Sequence, residues 1–228
     1  EILDAAGRLQ DRVTRLELEA ALAAADSALR IDLRRLDVDW PTRNSRLARW
    51  YGRLALAPPG IVVDELHGQF NDRPVDLAGR RGWDRSLALK VRAAGVSADE
   101  IEDLLRERLG LRARGDLQAD IASRADSVLF DGTFTGELEG YRMEGLRGRG
   151  ISDQKALVWS YLAGRVNGAA FVGTGRFDLR SDGDPDFRLE GDVAGVDLSA
   201  GLVPDVELPA TDGHGRVVIR RLGAADET

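Results

Sequence analysis

The chain has 228 residues with 39 acids against 32 bases, a formal net charge of −7 that supplies no general attraction to nucleic acid or anionic headgroups. It has no cysteine and only two histidines, His67 and His214, which excludes disulfides, thiolate chemistry and cysteine metal sites and leaves little for acid–base catalysis. Hydrophobic residues at 43% and charged residues at 31% describe a chain able to bury a core, and no apolar run approaches the ~18–20 residues of a membrane-spanning helix.

In chain order, Leu29, Ile31 and Leu33 alternate with Arg30, Asp32 and Arg34. The phase then slips, and Leu36, Val38 and Trp40 take over against Arg35, Asp37 and Asp39. Alternation puts each set on one face of a strand, and the slip predicts a bulge or a strand break. After a polar turn at Asn71-Asp72-Arg73-Pro74, Leu87, Leu89, Val91 and Ala93 alternate with Lys90 and Arg92. Ser97-Ala98-Asp99-Glu100 reads as a capping box that opens a helix over Ile101, Leu104, Leu105 and Leu109, with Gly110 as its stop. The apolar stripe of that helix is expected to pack over a sheet end.

Alternation then resumes. Leu111, Ala113, Gly115, Leu117, Ala119 and Ile121 oppose five polar residues, and Val128, Phe130, Phe134 and Leu138 oppose Asp131, Thr133, Thr135 and Glu137. Leu157, Trp159 and Tyr161 share one phase of the next segment. Asn167-Gly168 is a hairpin turn, followed by Phe171, Gly173, Gly175, Phe177 and Leu179 in one phase. After a turn at Ser181-Asp182-Gly183-Asp184-Pro185, Phe187, Leu189, Gly191 and Val193 continue the pattern, and a second short helix is expected from Asp197 to Val203. Strands with one dry and one wet face indicate a mainly β protein, an antiparallel meander with short capping helices.

Two stretches match at a constant offset. Gly68-Gln69-Phe70-Asn71, Val75, Gly79 and Arg80 correspond to Gly164-Arg165-Val166-Asn167, Phe171, Gly175 and Arg176; after a four-residue shift, Leu87, Leu89, Ala94, Gly95 and Val96 correspond to Phe187, Leu189, Ala194, Gly195 and Val196. The reading is an elongated stack of repeats. It divides into an N-terminal β segment (1–60), a first repeat ending in a helix (61–110), a second repeat (111–204) and the start of a further strand unit (205–228).

The string Leu162-Ala163-Gly164-Arg165-Val166-Asn167-Gly168, then Gly173-Thr174-Gly175-Arg176-Phe177-Asp178-Leu179, then Phe187 through Gly195-Val196-Asp197-Leu198 resembles the AsmA-like superfamily, whose members include TamB and the YhdP-type bridge proteins. The resemblance covers roughly residues 60–203. It implies a periplasmic protein of a diderm bacterium, anchored in the inner membrane through parts of a longer chain, with its sheet curled into an apolar trough that carries phospholipid acyl chains toward the outer membrane. It also implies contact with outer-membrane assembly proteins. Each exposed CH2 of an acyl chain costs ~0.8 kcal/mol in water, so a continuous dry track is the physical requirement. The candidate lining is Leu117, Ile121, Val128, Phe130, Phe134, Phe171, Phe177, Leu189 and Val193, chosen as the apolar phase of successive strands. Glycines such as Gly132, Gly136, Gly173, Gly175, Gly191 and Gly195 are expected to permit curvature and leave room for a chain near the backbone.

No cofactor, metal or enzymatic activity is expected. Asp182-Gly183-Asp184-Pro185-Asp186 starts like a calcium loop but has Phe187 and Val193 where the loop wants glycine and glutamate, so a turn is the reading. Gly173-Thr174-Gly175-Arg176 lacks the third glycine and the strand-to-helix setting of a phosphate loop. Trp40, Trp50, Trp83 and Trp159 are read as sheet packing, with a glycan platform as the minority view, and Arg147 and Arg149 as solvated strand charges rather than a lipid-phosphate rim. A chaperone-like platform whose free edge pairs with outer-membrane proteins, and a glycan-binding repeat, stand as the alternative functions.

Overall fold

A strand that alternates apolar and polar residues is satisfied only when one of its faces is dry, and nearly every strand of this chain makes that demand on the same side of one sheet. The computed structural model describes residues 2–3, 9–11, 13–25, 27–105, 112–124, 127–153, 156–178, 186–196 and 213–221. Strands β1 (Ile2–Leu3) and β2 (Leu9–Asp11) pair with each other as a separate ribbon. The main sheet contains β3 (Arg15–Ala25), β4 (Ala28–Trp40), β5 (Ser45–Ala57), β6 (Gly60–Phe70), β7 (Arg73–Gly82), β8 (Leu87–Ser97), β9 (Ala113–Arg124), β10 (Ser127–Leu138), β11 (Tyr141–Ser152), β12 (Ala156–Val166), β13 (Ala169–Asp178), β14 (Asp186–Val196) and β15 (Gly213–Arg221). These thirteen strands lie in sequence order, each antiparallel to the next, and β3 and β15 end the sheet without closing it into a barrel. The mainly β, antiparallel, repeat-built architecture read from the alternation is the one observed.

One α-helix is present among the described residues, α1 (Ala98–Leu105). Its capping box forms as read: the Ser97 backbone N–H donates to Glu100 Oε2 at 2.9 Å, and Glu100 N–H donates to Ser97 Oγ at 3.4 Å. The helix sits over one rim of the sheet, where Arg73 meets Glu100 at 3.3 Å, Asn44 Nδ2 donates to Asp103 at 2.9 Å and Ala98 is buried. Residues 106–111, 179–185 and 197–212 lie outside the described residues, and with them the expected end of this helix, the calcium-like turn and the second helix.

The repeat is visible in the geometry. Asn71 and Asn167 both take φ near +49°, at +48° and +49°, in two-residue turns whose central residues are left-handed, as right-twisted hairpins require. Asn71 N–H donates to Arg46 O at 2.9 Å while its Oδ1 accepts Arg46 N–H at 2.8 Å; Asn167 makes the same pair of bonds with Arg142, both at 2.8 Å. Each turn thus clasps the start of the previous hairpin. Gly95 and Gly195, at φ +63° and +71°, mark the same bulge in β8 and β14. The equivalence also reaches further back than the matching residues did. Arg49 in β5 and Gly145 in β11 are both left-handed, at φ +56° and +57°, so β5–β8 correspond to β11–β14.

Two apolar clusters form on the dry face. One joins Leu33, Trp50, Phe70, Val75 and Ala93, from β4 to β8; the other joins Met143, Leu146, Leu162, Val166, Phe171, Phe177, Phe187 and Leu189. Phe171 and Phe177 retain 1% of their surface, although the described residues supply no second layer over them. A flat sheet would leave one side of each ring in water. The sheet curls instead, so that Phe134 and Leu138 of β10 and Val217 and Ile219 of β15 pack on the same cluster. Each of these rings contributes about 1.5–3 kcal/mol by that burial.

Candidate functional site

Registers fix which residues share the dry face. Read outward from β3, direct cross-strand neighbours run Leu22–Ile31–Leu54–Val63–Gly79–Leu89–Ile121 as far as β9. They continue Phe130–Gly150–Trp159–Gly175–Leu189–Ile219 as far as β15. Every member is apolar or glycine. Twelve inter-strand steps of ~4.8 Å make this row about 58 Å long, perpendicular to the strands. Bulges at Glu19/Ala20, Leu33/Leu36, Val63/Leu66 and Trp159/Leu162 keep successive strands in phase with it.

All nine candidate lining residues stand on this face, in two different situations. Leu117, Phe130 and Phe134 border an apolar recess of about 210 Å³ that also includes Leu146, Trp159, Leu162, Phe187 and Leu189. Ile121 and Val128 are partly exposed near the opposite rim from α1. Phe171, Phe177 and Leu189 are sealed within the C-terminal cluster, and Val193 packs against it. Along the cross-strand row the face is therefore open from β3 to β10 and closed on itself over β11–β15, while beside that row strands β4–β8 bury Leu33, Trp50, Phe70, Val75 and Ala93. In the open part Ile31, Leu54, Val63, Leu89 and Val91 remain partly exposed, and Leu16, Leu18 and Leu22 of β3 keep about two-thirds of their surface, at 65%, 65% and 66%.

Gly68, Gly150 and Gly175 do not hold space for a ligand, whereas Gly195 has nothing within 4 Å and Gly132 and Gly148 border the apolar recess. A Cβ on Gly175 would lie 2.8 Å from Trp159 and from Leu189, one on Gly150 2.5 Å from the Phe130 ring, and one on Gly68 2.4 Å from the Trp50 ring. Aromatic side chains of the protein lie flat over these bare backbone positions, which is how a single layer buries them. The tryptophans are likewise dispersed. Trp50 is buried and donates Nε1–H to Gln69 O at 2.9 Å, Trp159 meets Phe130 edge-on at 6.0 Å, Trp83 is exposed on a turn, and Trp40 holds Arg43 over its ring at 4.5 Å. Tyr161 departs from the expected phase: the bulge after Trp159 turns it to the wet face beside Arg149, while Leu162 takes the dry side.

The wet face carries ion pairs. Asp131 accepts from Arg149 at 2.8 Å and from Arg147 at 3.4 Å, and these two guanidiniums, Arg149 first, hold its carboxyl below the usual carboxylate range. His67 Nδ1 lies 2.7 Å from Asp76 Oδ1 and its ring 5.4 Å from that of Tyr51; the bond to Asp76, with lesser help from Glu65, raises the imidazole above its ordinary value. A shallow hollow of about 760 Å³ lies on this face, floored by Val62, Ala88, Ala122 and Leu129 and flanked by Asp64, Lys90, Asp120 and Arg149. No grouping of three or more histidine or carboxylate side chains suited to a metal occurs among the described residues.

Sequence reasoning missed Asp37. It is buried in β4, accepts the backbone N–H of Arg49 at 2.9 Å and pairs with Arg35, and these contacts, Arg35 first, lower its carboxyl. Thr135 Oγ1 does the equivalent work for Gly145 N–H at 3.0 Å. These features define an open, curled single-sheet protein with one continuous apolar face. No family model, curated protein or solved structure matches the chain.

Proposed function

We propose that this chain is a non-enzymatic segment of an AsmA-like bridge protein, working in the periplasm, whose apolar sheet face shields phospholipid acyl chains between the inner and outer membranes. The observation that carries the reading is the uninterrupted apolar row across thirteen strands, partly exposed from β3 to β10. Acyl chains laid along that row exchange water for aliphatic contact at ~0.8 kcal/mol per CH2, with no bond to the row that would stop them sliding. The recess beside Phe134 and Trp159 marks where the open face gives way to the closed cluster. The family resemblance points the same way and supplies the compartment.

The test is a photo-crosslinking residue placed in cells at Leu89 or Phe134 on the dry face, and at the adjacent Lys90 or Thr135 on the wet one. Lipid is captured from the first pair and not from the second. Equal capture from both faces, or none from either while the protein is folded, removes the proposal. Phe177 is a poor probe, since its ring is sealed in the protein's own core.

A further inference from the structure

Strand β3 ends the sheet with eleven residues, no proline, lysine or glycine, and no described strand on its outer side. Natural sheets blunt long edges with proline, with charged side chains or with bulges, because free N–H and C=O groups invite pairing; on β3 the charges Arg15, Glu17 and Glu19 are confined to the first half, and Ala20–Ala25 carries none. On the same strand Leu16, Leu18 and Leu22 are the most exposed large apolar side chains among the described residues. The opposite edge differs. On β15 Val217 and Ile219 pack against the C-terminal cluster, and the wet face carries Arg216 and Arg220 on either side of the exposed Val218.

We infer that β3 is a self-pairing edge through which two copies of this chain join, antiparallel, about a two-fold axis at Ala20. The strand is complementary to itself in that register. Leu18 stands opposite Leu22, Leu16 opposite Ala24, Glu17 opposite Ala23 and Glu19 opposite Ala21, so no carboxylate faces another. Registers centred on Glu17, Leu18 or Glu19 each set glutamate against glutamate. On the wet side each glutamate has a cationic partner, Glu17 with Arg15 at 2.7 Å and with Arg35 at 3.3 Å, and Glu19 with Arg34 at 3.4 Å. A two-fold normal to the sheet keeps both dry faces on the same side, and the exposed leucines of the two copies become one cluster. Addition of β15 to β3 of a second copy is the weaker choice: the two strands run the same way, so the pairing is parallel and propagates without closing. The inference goes beyond the proposed function and does not depend on what the dry face binds.

The absence of native cysteine makes the test direct. Opposed residues in an antiparallel pair have Cα atoms ~4.5–5.5 Å apart, within disulfide range. The chain carrying Ala20→Cys forms a covalent dimer on mild oxidation. Glu17→Cys alone does not, but gives the dimer when mixed with Ala23→Cys. By sedimentation the unmodified chain shows a doubled mass that falls to that of the monomer on dilution, and Leu18→Lys stays monomeric with an unchanged far-ultraviolet spectrum. A chain that stays monomeric at all concentrations overturns the seam. So does crosslinking of Ala20→Cys to Arg216→Cys in place of itself, which reports head-to-tail addition, or capture of an unrelated strand by β3 with no dimer.

Discussion

At the scale of single residues, much of the order in this sheet comes from side chains that bind backbone across a strand pair. Asn167 does so while holding a left-handed φ of +49°, a conformation that costs an ordinary residue roughly 1–2 kcal/mol. Its amide oxygen takes the Arg142 N–H, a bond with a net contribution of about 0.5–1.5 kcal/mol. The two effects can be separated. Asn167→Gly removes the bond and keeps the backbone at ease, so it costs about 1 kcal/mol; Asn167→Ala adds the strain and costs about 2–3 kcal/mol. Urea denaturation of the two variants checks the order, and equal losses mean that the left-handed turn carries no strain. Asp37 and Thr135 show the same principle at the Arg49 and Gly145 bulges, where a carboxylate and a hydroxyl serve one backbone N–H each. Only the Asn turns were legible beforehand, because Asn-Gly and Asn-Asp announce a hairpin locally, whereas the partner of Asp37 lies twelve residues away in another strand.

At the scale of elements, the alternation was readable because a single-layered sheet exposes each strand to the same division between dry and wet. The slip after Leu33 was readable too, since Arg34-Arg35 interrupts an apolar phase with two charges. The slip after Trp159 was not: Ser160 and Tyr161 suit either face, and the bulge is set by pairing with β11 and β13. The shared role of β5 and β11 was hidden because Arg49 stands where the second copy has Gly145. Glycine spacing was legible as bare backbone but not its occupant, which comes from neighbouring strands. Gly175 shows the consequence. A methyl group there meets Trp159 and Leu189 at 2.8 Å, and overpacking of this kind costs about 1–3 kcal/mol. Gly175→Ala therefore lowers stability by that amount and shifts the tryptophan emission as Trp159 is displaced, while Gly168→Ala, with nothing within 4 Å, leaves the emission in place. Unchanged emission from Gly175→Ala shows that the ring is not seated on that backbone.

At the scale of the molecule, the curl lay beyond any local pattern, because it depends on ring volumes brought together from strands β10 to β15. It also divides the sheet energetically. The cluster of β4–β8 and the cluster around Phe171 share no residue, and between them β9 and β10 carry the partly exposed Ile121, Val128 and Phe130. Where neighbours touch only neighbours, stability is a sum of local terms, and a loss in one unit need not reach the far end. Phe177→Ala deletes a ring that is 1% exposed, a change worth about 3–5 kcal/mol. Hydrogen exchange resolved by peptide then shows β11–β15 amides losing protection, while those of β4–β7, packed around Trp50 and Phe70, keep theirs. Equal loss at both ends means one cooperative unit, and the open stretch would have to be as tightly coupled as the closed one. Graded loss instead places the yielding part of the sheet at β9 and β10, between the clusters, where Ile121 and Phe130 of the apolar row are partly exposed, so that the face widens there without unfolding either cluster.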